Sequence, residues 1–274
     1  MKLFLFVLLV SLSACSSNND TIKIKGSDTE VNLAVSLAEE FHKHNSILVS
    51  VSGGGSGLGL VSLLNGNADI ANSSRSIKIS ELDLFKQKGI EIDSFVFAQD
   101  AIAFVTSVNM PIDSISVENI AKILKGELVN WSSLTDKNMP ITIYGRQSNS
   151  GTYDYVKNIL GIHFSPYAKQ MNGNAQIIEA IKADASGFGY VSAGYVLKGN
   201  ATSLKILTIY DEKSKAISPL DSKAIASSKY YFQRPLFQYY KKRDFQKIKP
   251  FLAFEKSVMG AKIIYESGYY SVNK

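Results

Sequence analysis

The sequence predicts an α/β protein built from layered strands and helices. Three observations carry that expectation. Apolar residues at a period of two alternate with apolar residues at helical spacing along most of the chain. Turns rich in glycine and hydroxyl residues join strand ends to helix starts. No internal repeat interrupts the alternation, and no low-complexity segment follows the first twenty residues.

Thr21 to Lys25 reads as a short strand. Leu33, Leu37 and Phe41 recur four apart, so Glu30 to His44 is a helix with one apolar face. Ile47, Val49 and Val51 alternate as a strand. A glycine loop then opens a helix carrying Leu60, Val61, Leu63 and Leu64. Ala68 to Ala71 is extended, Glu81 to Lys88 helical, and Phe95 to Ala98 and Ala101 to Thr106 are two further extended runs. Ser116 can cap a helix carrying Val117, Ile120, Ala121 and Leu124, which Gly126 ends. Ile141 to Tyr144 is a strand and Gly151 to Leu160 a helix. Ile177, Ile178 and Ile181 mark another helix. Phe188 to Val191, Ile206 to Ile209 and Leu236 to Tyr240 are strands. Helices over Asp244 to Glu255 and Val258 to Glu266 close the chain.

The first residues, MKLFLFVLLVSLSAC, have a different character. Lys2 is followed by an apolar run and then by small residues, the layout of a secretory signal. The run is shorter than the roughly 20 residues a membrane span needs. LSAC resembles the lipobox of bacterial lipoproteins, which implies lipidation at Cys15 after removal of residues 1–14. Residues 16–20 then form a polar tether. Cys15 is the single cysteine of the chain, so the folded part is expected to hold no disulfide and no thiol metal site. About 260 residues remain, enough for one large domain or two lobes. The formal charge of +6 is mild, and the lysines are scattered apart from Lys241, Lys242 and Arg243. That excludes a concentrated nucleic-acid stripe and fits a small anion or an anionic surface.

The chemistry concentrates in the turns. GSDTEV (Gly26 to Val31), GGGSGLG (Gly53 to Gly59) and QSNSGTY (Gln147 to Tyr153) each lead from a strand into a helix. A helix start carries backbone N–H groups without intrahelical partners and a partial positive charge. Glycine lets a ligand approach the backbone, and Ser or Thr adds a directed donor. Such turns are anion sites. Arg146 adds a fork of donors suited to an oxyanion. A fourth turn, Asn72 to Ser76, brings Ser74 and Arg75. Read singly, Ser27 and Asp28 are helix caps, the glycine run is a turn and Arg75 is a surface ion pair; read together they are a binding site.

No catalytic or metal motif competes. The glycine run fails G-x-G-x-x-G at Leu58 and Leu60, and Ser56 fails the nucleophile elbow because Leu58 occupies its last position. His42 and His44 fall on different faces of one helix, and His163 has no evident partner carboxylate. No metal, no cofactor and no catalytic residue is expected.

In order, GSDT, SVSGGGSGLGLVSLLNGNADIANSSRSI, VNWSSL, GRQSNSGT and GFGYVSAGYV, with the closing FLAFEKSVMGAKIIYESGYY, resemble the phosphate-binding lipoproteins of bacterial high-affinity phosphate ABC importers. The likeness covers nearly all of the mature chain. It implies a two-lobed periplasmic-binding-protein-like fold of type II, each lobe a mixed sheet flanked by helices. Lobe one would comprise 21–98 and 226–274, lobe two 99–225, with crossings near Ala98 to Ala101 and within Ile217 to Ser228. It implies inorganic phosphate as ligand, held by Thr29, Ser56, Arg146, Ser150, Gly151 and Thr152. It further implies a monomer, exported and lipid-anchored in the cell envelope. That monomer would touch the membrane only through its anchor and deliver phosphate to a permease with its ATPase subunits.

One position departs from the family's pattern. Better-known members carry an aspartate where this chain has Ser74, followed by Arg75. A buried carboxylate accepts a hydrogen bond from protonated phosphate and repels sulfate, which has no proton to give. Asp28 is therefore expected to take over that acceptor role, with Arg75 balancing its charge and Ser27 beside it in the same turn. Ser148 also stands where the family has an acidic neighbour of its arginine. The departure leaves sulfate or molybdate open as the ligand. A phosphate-ester hydrolase lacks a nucleophile here, and an adhesin or sensor on the same fold is the remaining alternative.

Overall fold

The computed structural model describes residues 21–198 and 203–272. The expected signal segment 1–14, the expected lipidation position Cys15 and the expected tether 16–20 lie outside the described residues.

The first lobe begins with parallel β–α–β units. β1 (Ile22–Gly26) lies between β2 (Val49–Ser52) and β3 (Ile70–Ser73). α1 (Val31–His44) links β1 to β2, and α2 (Ser56–Leu64) links β2 to β3. Ile22 and Ile24 face inward at every second residue, and α1 covers them with Leu33, Leu37 and Phe41. α3 (Ile79–Gln87) follows. β12 (Gln233–Lys241) then pairs antiparallel with both β3 and β4 (Ile92–Ser107). α9 (Phe245–Glu255) and α10 (Val258–Glu266) complete this core with Ile248, Phe251, Leu252 and Ile264.

β4 is the link between lobes. Its first part pairs with β12 as far as Ala101, and its second part, from Ile102, pairs antiparallel with β8 (Gly187–Ser192). β8 in turn runs parallel to β6 (Thr142–Arg146), and β6 to β7 (Lys169–Met171). The sequence pattern splits β4 into two runs because Gln99 and Asp100 interrupt the apolar residues. Pairing with β12 along one edge, through Gln99, Asp100 and Ala101, carries the strand past them. α4 (Val117–Lys125), α5 (Gly151–Leu160), α6 (Asn174–Ala183) and α7 (Ala193–Lys198) belong to the second lobe. The expected strand at Ile206 to Ile209 is two strands. β9 (Leu204–Ile206) pairs with β4, while β10 (Thr208–Asp211) sits in a small separate sheet between β5 (Ser114–Ser116) and β11 (Ser214–Ile217). α8 (Ser222–Ala226) precedes the return to the first lobe, and β13 (Tyr270–Ser271) pairs with β4.

Two cores lie on either side of the crossings. Phe97 and Ala98 pack in the first and Ala101 and Ile102 in the second. On the return, Tyr230 and Phe232 still pack in the second core and Leu236 is the first to pack in the other. Along the return, packing changes from the second core to the first on β12, between Phe232 and Leu236. The reason is aromatic packing: the Phe232 ring meets Phe104 edge-on at 4.7 Å, and the Tyr230 hydroxyl donates to the Ile102 carbonyl at 2.6 Å.

A buried polar layer lies on the inner face of the first sheet. Asn72 and Gln238 are register partners on β3 and β12, and Gln238 Nε2 donates to Glu255 Oε1 at 2.9 Å. Glu30, just before α1, is fully buried; Ser27 and Arg234 favour its charge, but neither carboxylate oxygen has a hydrogen-bond partner. Burial dominates and pushes the Glu30 carboxyl well above the usual range. Burial likewise pushes Glu255 up to about 8, against the opposing effects of Gln238 and Lys256.

A carboxyl whose folded value is raised binds its proton more tightly folded than unfolded. Its contribution to stability is full below the unfolded value and is lost as pH rises towards the folded one. Stability is thus expected to fall between pH about 5 and about 8, at no more than about 1.4 kcal/mol per pH unit for each such group. Glu255→Gln should flatten part of that fall and leave stability near pH 5 within about 1 kcal/mol of wild type. Urea unfolding of both proteins at pH 5, 7 and 8.5 checks this, and parallel pH profiles would refute it.

Candidate functional site

The turns singled out in the sequence meet between the lobes. The turn after β1 supplies Ser27, Asp28 and Thr29, and the glycine loop supplies Ser56 at the first position of α2. β3 ends beside Ser74, and β6 ends at Arg146 ahead of α5. The Thr29 and Thr152 hydroxyl oxygens are 3.1 Å apart across the cleft, and those of Ser27 and Ser74 are 2.6 Å apart. The Ser74 N–H donates to Ser56 Oγ at 3.1 Å. The Gly57 N–H donates to the Asn149 carbonyl, and Asn149 Nδ2 donates to the Gly54 carbonyl, at 3.1 and 3.0 Å. Ser150 caps α5, its Oγ accepting from the Thr152 N–H at 3.2 Å.

Two glycines are required by this proximity. A Cβ at Gly151 would collide with Ser56 Oγ, so only glycine lets the start of α5 come up against α2. Gly55 has φ +96°, and a Cβ there would stand 2.8 Å from the Asn149 carbonyl oxygen.

Arg146 is buried at the centre. Its Nη2 donates to Asp28 Oδ2 at 2.6 Å and to the Asn172 carbonyl at 2.9 Å. Its backbone N–H donates to the Tyr190 oxygen at 3.2 Å. Nε and Nη1 are buried and have no hydrogen-bond partner. Burial holds the guanidinium below the usual arginine range, and the Asp28 charge opposes that shift. A buried guanidinium with two unpaired donors, tied to the Asp28 turn whose Thr29 hydroxyl meets that of Thr152, can hold a small oxyanion.

Asp28 does not cap α1. Its Oδ1 accepts from the Gly54 N–H at 2.9 Å, and its backbone carbonyl accepts from the Tyr195 hydroxyl at 2.7 Å. The residue before α1 is Glu30, and no side chain caps that helix. Asp28 from the first lobe thus holds Arg146 of the second, while Ser148 is exposed.

Arg75 departs from expectation. It does not balance Asp28. Nη1 and Nη2 donate to Glu81 Oε2 and Oε1 at 2.8 and 2.6 Å, and Nε stands 2.9 Å from Asp154 Oδ2, close but not aligned as a hydrogen bond. The acid at Glu81, three residues into α3, draws the side chain away from the other turns.

Arg234 on β12 is the residue the sequence did not flag. It is fully buried. Nε and Nη2 donate to Asp100 Oδ2 at 3.1 and 2.9 Å, and Nη1 donates to the Ser74 carbonyl at 3.2 Å. Nη2 also donates to Thr29 Oγ1 at 3.2 Å and Thr152 Oγ1 at 3.0 Å. Asp100 accepts further from the Ser192 hydroxyl at 2.7 Å. Burial pushes the Asp100 carboxyl up, and Arg234 and Ser192 pull it back. The available signal was one arginine in FQRPLF and one aspartate in AQDAIAFV, lone charges in apolar strands that can only be buried as a pair.

Comparison with known proteins agrees with this architecture. A family profile described as the PBP superfamily domain matches residues 13–257. Protein SphX of Synechococcus elongatus is 29% identical over 84% of this chain and 71% of its own length. The phosphate-binding protein PstS of Borreliella burgdorferi is 28% identical over 98% of each chain. Among solved structures, an ABC-type phosphate transport receptor from Vibrio cholerae is 28% identical with a TM-score of 0.70, covering 91% of this chain and 99% of its own. A substrate-binding protein ascribed to a phosphate ABC transporter of Clostridium perfringens, solved with phosphate bound, shares the fold with a TM-score of 0.82 at 24% identity, covering 92% of this chain and 99% of its own. With a domain match over most of its length and two sheets joined by crossing strands around a cleft of converging helix starts, the chain belongs to the PBP superfamily.

Proposed function

We propose that this protein is an extracytoplasmic solute-binding protein that captures inorganic phosphate between its lobes and delivers it to an ABC permease and its ATPase subunits. The observation that carries the reading is the buried Arg146 guanidinium with Nε and Nη1 unpaired. Thr29, Thr152 and Ser56 are assigned the hydroxyls of the site, with Ser27, Ser74, Ser150 and Gly151 shaping the turns. The relatives named as phosphate-binding proteins support the choice of anion. Lobe one is assigned to 21–98 and 236–272 and lobe two to 101–232, with hinges at the intervening residues. The protein acts by binding rather than turnover, as a monomer held to the envelope membrane by lipid on Cys15.

Asp28 supplies the acceptor that Ser74 cannot. Each carboxylate oxygen has lone-pair capacity beyond its bond to Arg146 or Gly54. A proton on phosphate can be donated there, whereas sulfate brings only acceptors against the same carboxylate. The contacts with Arg146 Nη2 and the Gly54 N–H hold the Asp28 carboxylate in place.

Calorimetric titration with phosphate, sulfate and molybdate tests the assignment. Phosphate should bind at low-micromolar Kd or tighter, about −8 kcal/mol or better. Sulfate and molybdate should bind at least about a hundredfold more weakly. Preference for either rival anion, or hydrolysis of a chromogenic phosphate ester, would overturn it. Arg146→Lys keeps the charge but loses the fork, and a loss of about 2 kcal/mol, roughly thirtyfold in affinity, is expected. Asp28→Asn should narrow the phosphate-to-sulfate ratio; a ratio equal to wild type would remove Asp28 from the selectivity role.

A further inference from the structure

Asp154 carries the least explained charge in the cleft. It lies in the first turn of α5, in the second lobe, and is largely buried. Two cations reach it from the first lobe. Arg75 Nε stands 2.9 Å and Lys78 Nζ 2.6 Å from the same carboxylate oxygen, Oδ2. Neither contact is aligned as a hydrogen bond, so the attraction is coulombic. Glu81 fixes the first-lobe side: it takes both terminal nitrogens of Arg75, and its Oε2 accepts the Lys78 N–H at 2.8 Å. None of these four side chains bonds to Thr29, Ser56, Arg146 or Thr152.

We infer that Asp154, with Arg75 and Lys78, is an electrostatic latch that sets the closed fraction of the protein and thereby its affinity for the oxyanion, without touching the anion. The charge count gives the reason. Closed, the quartet of Arg75, Lys78, Glu81 and Asp154 is neutral. Open, the first-lobe trio keeps one excess positive charge and Asp154 stands alone at the start of α5. A cavity of about 780 Å³ lined by Arg75, Lys78, Tyr155 and Arg234 opens alongside, so water and salt reach the latch from one side. Screening therefore weakens it at ionic strengths that leave fully buried contacts such as Gln238–Glu255 unchanged. A protein that binds only when closed shows an apparent Kd raised by the inverse of its closed fraction. Loss of the latch thus weakens every tetrahedral anion by one common factor. Altered specificity, by contrast, belongs to residues that touch the anion.

A purely structural role for Asp154 also exists, since an acid in a helix's first turn complements the helix dipole. Two readouts separate the roles. The first uses phosphate as probe and so rests on the function proposed above. Asp154→Asn should weaken phosphate about tenfold at about 20 mM NaCl and less than about threefold at about 0.5 M. Lys78→Gln should weaken it less, and the double variant no more than Asp154→Asn alone. The second readout needs no ligand. With Cys15 replaced by Ser, spin labels at exposed positions 48 and 129, one in each lobe, report the interlobe distance. Without phosphate, Asp154→Asn should shift that distribution to longer distances. Affinity equal to wild type at both salt concentrations, additive losses in the double variant, or an unchanged label distance would each overturn the latch. A wild type that binds no phosphate but shows the label shift would overturn the phosphate reading and support the latch.

Discussion

The buried pair of Arg234 and Asp100 is the interaction on which the site depends. The two residues sit on β12 and β4, the strands that cross between lobes. Removing two charges from water is costly, and the cost is offset only if every donor and acceptor is matched. Here the matching groups come from both lobes: the Ser74 carbonyl and Thr29 hydroxyl from one, the Thr152 and Ser192 hydroxyls from the other. A guanidinium only donates, so both threonine oxygens act as acceptors towards it. Their own protons are thereby turned away from Arg234 and towards each other or the cleft. The pair thus ties β12 to β4 and also sets the polarity of the two threonine hydroxyls.

Charge balance follows from the same geometry. Arg146 is matched by Asp28 and Arg234 by Asp100, so the two buried arginines bring no excess charge to the cleft. An anion entering it meets dipoles and unpaired donors rather than a net positive field. That favours a ligand able to use many directed bonds at once, and a tetrahedral oxyanion presents acceptors in every direction. Asp28, held between Arg146 and the Gly54 N–H, places one acceptor among these donors, which is where a proton on the ligand would be told from its absence.

Much of this was legible along the chain because its causes are local. The spacing of Leu33, Leu37 and Phe41 encodes a helix face, and a glycine-hydroxyl turn encodes a helix start wherever it falls. The strands of two or three residues, β5, β7, β9 and β13, are too short to show a period, and α7 hides in SAGYV. The misread elements have long-range causes. Asp100 breaks an apolar run and looks like a loop, yet a partner 134 residues away keeps it inside β4. Arg75 looks like a member of the anion site, but Glu81 and Asp154 take its guanidinium. Asp28 is expected at the site, but its tie to Arg146, 118 residues on, is not legible along the chain.

Contacts across the cleft are of two kinds, and the difference bears on release. Thr29 with Thr152 and Asn149 with Gly54 and Gly57 are neutral hydrogen bonds, each worth about 1 kcal/mol net. Arg146 with Asp28, and Arg75 and Lys78 with Asp154, are ionic and stronger where water is excluded. A binding protein must close on its ligand and still open for delivery, so the closed form cannot be favoured by much in the ligand's absence. Sharing one carboxylate oxygen between two cations, one of them partly exposed, keeps the second contact weak. Under the proposed function, spending one nitrogen of Arg146 on Asp28 while leaving two donors for the ligand would divide the closing energy in the same way. Neither tie then holds the lobes shut alone, and the ligand supplies the remainder.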